Sequence, residues 1–220
     1  MSPEKTFPLW DIPTRLFHWC LVICIPLAWW SAEEENYEMH EWTGYTILVL
    51  VVSRMAWGFL GSRHSRFSDF LAGPGRVAAY LRSGANGSAG HNPLGGWSVV
   101  VLLLLVLTQA VSGLFNTDDI LYNGPFYYAV SDETVGLMGT LHDLAFDGLM
   151  VMVALHILAV LYHQLFKGEK LIPAMIRGRA EGRDGRAPAV PLWRFLLVLA
   201  IVAAALWFGL EQAPQPEPMW

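Results

Sequence analysis

Residues 141 to 166 read LHDLAFDGLMVMVALHILAVLYHQLF, an apolar stretch interrupted by three histidines and two aspartates. A helix needs about 20 mostly apolar residues to cross the hydrocarbon core of a bilayer, and this stretch exceeds that length. Because an ionisable side chain inside such a segment is costly, its default interpretation is functional. The stretch therefore predicts a membrane helix that carries part of a functional site.

The rest of the chain has the same character. Of its 220 residues, 54% are hydrophobic and only 15% are charged, whereas about 25% are charged in an ordinary soluble domain. The net charge of −5 gives no sign of a nucleic-acid partner. We therefore predict an all-α integral membrane protein, with five transmembrane helices at residues 16–32, 42–60, 97–115, 141–166 and 192–210.

The charges of the connecting segments predict the orientation. Lys and Arg precede the first helix and fill the segments between helices two and three and between helices four and five. The other two connections, 33–41 and 116–140, contain neither residue. By the positive-inside rule, the amino terminus is cytoplasmic and the carboxyl terminus lies on the outer side of the membrane. Arg54, near the cytoplasmic end of helix two, is expected to snorkel to that surface.

The segment between helices two and three has two parts. Apolar residues recur at helical spacing on both sides of Gly73-Pro74-Gly75, which predicts short amphipathic helices on the inner membrane surface or else an ordinary loop. Residues 84–96 are rich in Gly, Ser and Asn and predict a linker. His64 and His91 lie in this segment and are expected to be solvated surface residues.

The other five histidines lie within or at the ends of helices one, two and four. The predicted topology places His40 and His142 at the outer level and His18 and His156 at the inner level. His156 follows His142 by fourteen residues, which is about four helical turns and about 21 Å, so both project from one face at two depths. Two imidazoles at each level suit one haem iron with two axial ligands, and the pattern predicts two haems.

Several alternatives remain at this point. His163, seven residues after His156 on the same face, is a less favoured partner for His18. Arg15 and Arg54 are expected either to neutralise propionates of the inner haem or to anchor the inner face. A zinc site would need Cys or several imidazoles at one depth, and Cys20 and Cys24 are interpreted as packing residues. The chain has no P-loop, G-x-S-x-G or dinucleotide motif.

Four segments carry a family resemblance: WDIPTRLFHW at 10–19, HEWTGYTILVLVVSRMAWGFLGSRHSRFSDF at 40–70, GLFNTDD at 113–119, and the histidine-bearing stretch at 141–163. They resemble the prokaryotic cytochrome b-561 family, which includes the b-type cytochrome subunits of membrane-bound Ni-Fe hydrogenases. The resemblance covers about residues 10–178 and implies a bacterial inner membrane, so that the outer side and the carboxyl terminus are periplasmic. It implies a four-helix transmembrane bundle with two haems b, ligated by His18 with His156 and by His40 with His142, and either quinone chemistry or a periplasmic redox partner.

These observations predict a division of the chain. Residues 1–178 form a di-haem cytochrome b domain, and residues 179–220 add a basic linker, the fifth transmembrane helix and a Pro-rich tail. The outer connections are acidic and aromatic, a surface that would steer a basic partner.

The leading functional hypothesis is an electron-transfer subunit of a respiratory chain. It links a periplasmic c-type cytochrome or hydrogenase-like subunit to the quinone pool, and no catalytic residue is assigned to this chain. The alternatives are a self-contained quinone oxidoreductase that acts on a small molecule such as superoxide, and a scaffold or transport protein whose histidines are structural.

Overall fold

The computed structural model describes residues 8–83, 90–118, 120, 122–179 and 188–214. Within these residues the chain forms eight α-helices and no β-strand. Five are long and apolar enough to cross a membrane, so the predicted all-α multi-pass fold is confirmed. The five spanning helices are α1 (Ile12–Glu33), α2 (Tyr37–Leu60), α5 (Pro93–Gly113), α6 (Asp132–Phe166) and α8 (Leu192–Glu211), and the short ones are α3 (Phe67–Phe70), α4 (Pro74–Ser83) and α7 (Leu171–Arg177).

Four spanning helices begin earlier than predicted, because polar capping residues precede their apolar stretches. The largest difference is in α6, which begins at Asp132 rather than at residue 141. Ser131 accepts a hydrogen bond from the Thr134 backbone N–H, and two acidic residues in the first turn complement the helix dipole. The prediction of a loop over 132–140 was therefore wrong. At 35 residues, α6 is about 52 Å long, so it extends well beyond a hydrocarbon core of about 30 Å.

The apolar core lies where α1, α2, α5 and α6 meet. Its buried residues include Phe17 of α1, Val51 of α2, Val106 of α5 and Leu149 of α6. The helix α2 packs against α1, α5 and α8, whereas α6 packs closely along α5 and has sparse backbone contact with α1 and α2. The histidines of α6 therefore project into a space that backbone packing leaves between α6 and its two neighbours.

The two ends of the bundle differ in charge. We call the end where α1 begins and α2 ends the basic end, because the Lys- and Arg-rich segments 61–92 and 167–191 connect helices there. We call the opposite end, which carries the connections 34–36 and 114–131, the acidic end. The folded molecule therefore carries its basic connections at one end and its acidic connections at the other.

Residues 61–83 and 90–92 fold over the basic end. The two predicted amphipathic stretches form α3 and α4 on either side of Gly73, so the helical interpretation is confirmed over the loop. The Thr14 and Ser65 hydroxyls are hydrogen-bonded at 2.8 Å, and Trp97 Nε1 donates to the Ala72 carbonyl at 2.9 Å. These contacts fix the segment to α1 and α5.

The prediction that His64 and His91 are solvated was wrong, because the folded segment covers both. His64 is 6% exposed and lies 3.1 Å from an Asp69 carboxylate oxygen. His91 packs against the rings of Trp10 and Phe70, with centroid distances of 4.7 and 4.8 Å. Burial and the nearby Arg54 charge lower the pKa of His91 to about 3, so its imidazole is neutral.

The segment before α1 packs against the end of α7. The backbone N–H groups of Leu9 and Trp10 both donate to the Gly178 carbonyl, at 2.8 and 3.2 Å. Gly178 has φ of +78°, and a Cβ atom there would lie 2.8 Å from the Trp10 carbonyl oxygen, so glycine is required. Much of the predicted basic linker (180–187) and Pro-rich tail (215–220) lies outside the described residues, and the division of the chain at residue 178 stays a prediction.

Candidate functional site

At the acidic end, the structure brings the imidazole rings of His40 of α2 and His142 of α6 opposite each other. Their ring centroids are 6.3 Å apart, with the ring planes inclined by 71°. His40 Nδ1 lies 2.8 Å from the Ala28 carbonyl oxygen, which can only accept a hydrogen bond. Nδ1 therefore carries the proton, and Nε2 keeps the lone pair that a metal ion needs.

His142 has a similar orienting contact on α5. The Ser112 hydroxyl donates to the Thr108 carbonyl at 2.7 Å, so its oxygen is free to accept from His142 Nδ1, 3.2 Å away. The Gln109 amide lies 2.9 Å from His142 Nε2, where it donates, and its own Oε1 is buried without a partner. The lone pair of His142 therefore also lies on Nε2.

A cavity of about 270 Å³ adjoins this pair. It is lined by both histidines, by Gln109 and by the glycines at 44 and 113, which provide room near the imidazoles. A Cβ atom at Gly44 would meet nothing within 4 Å, whereas one at Gly113 would lie 3.1 Å from the His142 ring. Three carboxylates also line the cavity, from Glu33, Glu41 and Asp143.

At the basic end, His18 of α1 faces His156 of α6. The ring centroids are 6.4 Å apart and the planes are inclined by 57°. His18 Nδ1 is buried without a hydrogen-bond partner, and His156 has no hydrogen bond among the described residues. The two pairs are thus alike in spacing but unlike in the groups that hold their rings.

Arg54 accompanies the basic-end pair. It follows His40 by fourteen residues on α2, the same interval that separates His142 from His156 on α6, so it lies on the histidine-bearing face at the deeper level. Arg54 is 2% exposed, and one of its terminal nitrogens, NH1, is buried without a hydrogen-bond partner. The expectation that Arg54 snorkels to the surface was wrong, and the fourteen-residue interval was the signal that sequence reasoning missed.

The remaining candidates contact other groups. Arg15 donates to the Ile176 carbonyl of α7, although its Nε is buried without a partner. His163, the alternative partner for His18, lies 3.6 Å from a Glu169 carboxylate oxygen instead. Among the described residues, no group of three or more His, Cys, Asp or Glu side chains could share one metal ion. The two facing pairs are thus two-imidazole sites.

The spacing within each pair suits a haem iron. Metal–nitrogen bonds to imidazole measure about 2.0 Å, so a metal ion bound by two facing rings lies about 3.2 Å from each centroid and the centroids lie about 6.3 Å apart. The observed distances of 6.3 and 6.4 Å agree with this value. The room beside Gly44 and the buried, unpartnered terminal nitrogen of Arg54 likewise fit a flat, anionic porphyrin.

Fold and site together define a multi-pass helical membrane protein with two facing histidine pairs at different depths. The model of the prokaryotic cytochrome b561 family matches residues 9–178, and the chain belongs to this family. It is accordingly a bacterial membrane b-type cytochrome of electron transfer, with haem b as its cofactor.

Two relatives are similar to this chain over most of their length. A probable Ni/Fe-hydrogenase B-type cytochrome subunit of Bradyrhizobium diazoefficiens is 24% identical over 221 residues, which cover 82% of this chain and 88% of that protein. A protein of the same description from Azotobacter chroococcum is 24% identical over 216 residues, covering 81% and 90%. No solved structure matches the chain significantly.

Proposed function

We propose that this chain carries electrons across the bacterial inner membrane through two haems b, between a periplasmic redox partner and the quinone pool. His40 and His142 ligate one haem, and His18 and His156 ligate the other. Haem b supplies an iron that takes up and releases one electron. The polypeptide fixes the depth of each haem, orients the ligand rings and excludes water.

The observation that carries this proposal is the repetition of one histidine pair at two depths. The fourteen residues between His142 and His156 correspond to about 21 Å along α6, and each histidine faces a partner at a spacing suited to one iron. Ligands for a single centre would lie at one depth. Two centres at this separation, one toward each membrane face, instead provide steps for an electron that crosses the bilayer.

The charges support an orientation of the molecule in the membrane and a class of redox partner. The basic end faces the cytoplasm by the positive-inside rule, which places His40 and His142 near the periplasm. Exposed Glu34, Glu35 and Glu38 surround that end, so it attracts a cationic protein and repels an anion such as superoxide. This charge favours a redox subunit over the self-contained superoxide enzyme. The descriptions of the two relatives favour a hydrogenase-like subunit as the partner.

The test is the oxidised and reduced visible spectrum of the detergent-purified protein, with haem quantified as the pyridine haemochrome. We expect two haems b per chain, falling to about one in His142→Ala and to about one in His156→Ala. His163→Ala is the matched control on the same helix and should keep two. A colourless protein would refute the proposal, and haem loss in His163→Ala but not in His156→Ala would refute the ligand assignment.

The second test concerns the partner. Purified from its own membranes in mild detergent, a subunit should retain a second redox protein, whereas a self-contained enzyme should turn over quinol alone. We expect copurification of a soluble-domain redox protein and no quinol turnover by the isolated chain. Quinol-dependent reduction of superoxide without a partner would favour the alternative.

A further inference from the structure

We infer that the haem at the basic end has the higher reduction potential, so that electrons move downhill from the acidic end to the basic end. The inference rests on the proposed function, because it concerns the haems that the two histidine pairs are proposed to hold. One electron leaves the acidic-end site and enters the basic-end site, and no proton moves in this step. The difference arises from two independent asymmetries in the chain.

The first asymmetry is in the hydrogen bonds to the ligand rings. His40 Nδ1 donates to the Ala28 carbonyl, and His142 Nδ1 donates to the Ser112 hydroxyl. Such bonds make an imidazole a stronger electron donor, which favours the oxidised iron and lowers the reduction potential. His18 Nδ1 is buried without a partner, and His156 has no hydrogen bond among the described residues. Only the acidic-end ligands receive this stabilisation of the oxidised state.

The second asymmetry is in the charge around each pair. Glu41 and Asp143 line the cavity beside the acidic-end pair, and neither connection at that end contains Lys or Arg. Negative charge favours the oxidised iron, which carries one more positive charge than the reduced form. At the basic end, the Arg54 guanidinium lies on the histidine-bearing face of α2 at the level of His156. Its positive charge favours the reduced iron.

One carboxylate near Arg54 has to be weighed against it. Asp11 interacts electrostatically with Arg54 but makes no ion pair with it. The Asp11 carboxylate oxygens instead accept hydrogen bonds from the Trp57 indole at 2.9 Å and from the Thr14 backbone at 3.0 Å. Because those donors already stabilise the Asp11 charge, the unpartnered Arg54 nitrogen remains available to a haem propionate.

The test is a potentiometric titration of the purified haem-loaded protein in nanodiscs, followed by the visible absorbance of the reduced haem. We expect two one-electron components. Ser112→Ala removes the acceptor of His142 and should raise only the lower component. Arg54→Gln should lower only the upper component. A tenfold change in the ratio of oxidised to reduced haem, about 59 mV for one electron, is the expected size of each shift.

Two controls separate charge from structural disturbance. Arg54→Lys retains the positive charge and should restore the upper component, whereas a merely structural role would not be rescued. Arg63→Gln removes an exposed arginine from the same end and should shift neither component. If Arg54→Gln fails to fold, Ser112→Ala still tests the inference. A shift of the upper component in Ser112→Ala, instead of the expected shift of the lower one, would overturn it. A colourless protein would refute the proposed function and the inference together, whereas two haems in the reverse order would refute only the inference.

Discussion

Gly44 lies one turn after His40 on α2 and lines the cavity beside the acidic-end pair. A Cβ atom at this position would meet no other atom within 4 Å, although its helix is packed on three sides. We expect Gly44→Leu to occupy space that a porphyrin needs, and therefore to reduce the haem content from two to about one per chain. The pyridine haemochrome of the purified variant measures this directly.

The matched control for Gly44 is Gly136 on α6. A Cβ atom at Gly136 also meets nothing within 4 Å, but this residue is exposed and lies outside the cavity. Gly136→Leu should keep both haems. Two haems in Gly44→Leu would show that the space beside His40 is not a cofactor site.

Asp11 is the second residue whose role can be tested singly. Burial raises the pKa of its carboxyl, but hydrogen bonds from the Ser62, Thr14 and Trp57 side chains and the Thr14 backbone outweigh burial and hold it below the usual value. The charged form therefore adds stability that is complete above the unfolded-state pKa of about 3.9 and is lost as the pH falls through the lower folded-state value. Asp11→Asn should lower the melting temperature in detergent at pH 7.

The pH dependence distinguishes this role from general disturbance. The difference in melting temperature between Asp11→Asn and the unmodified protein should shrink as the pH falls below about 3.9, because the protonated carboxyl then resembles the amide. Glu34→Gln, at an exposed position on the acidic end, should have little effect at either pH. A difference that is constant with pH would rule out a contribution from the Asp11 charge.

For single residues, the sequence predicts well how deep a side chain lies along its helix and on which helix face it lies. It predicts poorly which side chains of other segments it contacts. The positions of His142 and His156 on one helix follow from helical geometry alone, and the structure places each opposite the expected partner. The burial of His64 and His91 depends on how residues 61–83 and 90–92 pack over the start of α1. The spacing of apolar residues along the sequence does not indicate how a connecting segment packs against a helix, so the contacts of His64 and His91 could not be predicted.

At the scale of helices, α8 is held against α2 at the basic end. The Phe195 ring of α8 is 3% exposed and meets the Trp57 indole edge-on, with centroids 5.3 Å apart. Truncation of a buried Phe to Ala typically costs about 3 kcal/mol or more, because a cavity remains. We expect Phe195→Ala to lower the melting temperature in detergent while both haems are retained, since no ligand lies on α8.

Phe208 provides the comparison on the same helix. Its side chain is 65% exposed on the outer surface of the bundle, so Phe208→Ala opens no cavity. The melting temperature of this variant should be close to that of the unmodified protein. Equal melting temperatures for the two variants would show that α8 adds no packing energy through Phe195. Loss of haem in Phe195→Ala would show that α8 is part of the haem domain, against the predicted division at residue 178.

The existence of every spanning helix could be predicted, and for α8 also its first residue, but not where the other four begin. Composition identifies about 20 apolar residues and stops where polar residues appear. The caps extend the helices beyond that limit: Asp11 accepts from Thr14, Asn36 from Met39 and Asn92 from Gly95. Capping residues resemble loop residues in composition, which is why helical structure was missed at these ends.

For the whole molecule, the decisive property is the opposite charge of its two ends. The connections at the acidic end contain carboxylates and no Lys or Arg, so the electrostatic field of that end is negative. At physiological salt this field extends about a Debye length, roughly 8 Å, toward an approaching protein. Such a field raises association rates by about tenfold or more at low salt. A cationic redox partner should therefore meet the molecule at the end that holds His40 and His142.

The last prediction tests this polarity. The triple variant Glu34→Gln, Glu35→Gln, Glu38→Gln should exchange electrons with a cationic c-type cytochrome about tenfold more slowly than the unmodified protein in 10 mM salt, as measured by stopped-flow absorbance. The difference should vanish near 1 M salt, where the Debye length is about 3 Å.

Its control removes three charges from the other end, with Arg66→Gln, Arg82→Gln and Arg177→Gln, all at exposed positions. This variant changes the net charge by as much, in the opposite sense, but should not slow the reaction. If overall charge governed the encounter, the arginine variant, which is the more negative, would react faster with the cationic cytochrome. Equal slowing in both variants would indicate a structural disturbance rather than electrostatic attraction by the acidic end. Faster exchange in the arginine variant, with no slowing in the glutamate variant, would place the docking surface at the basic end and reverse the proposed orientation of electron entry.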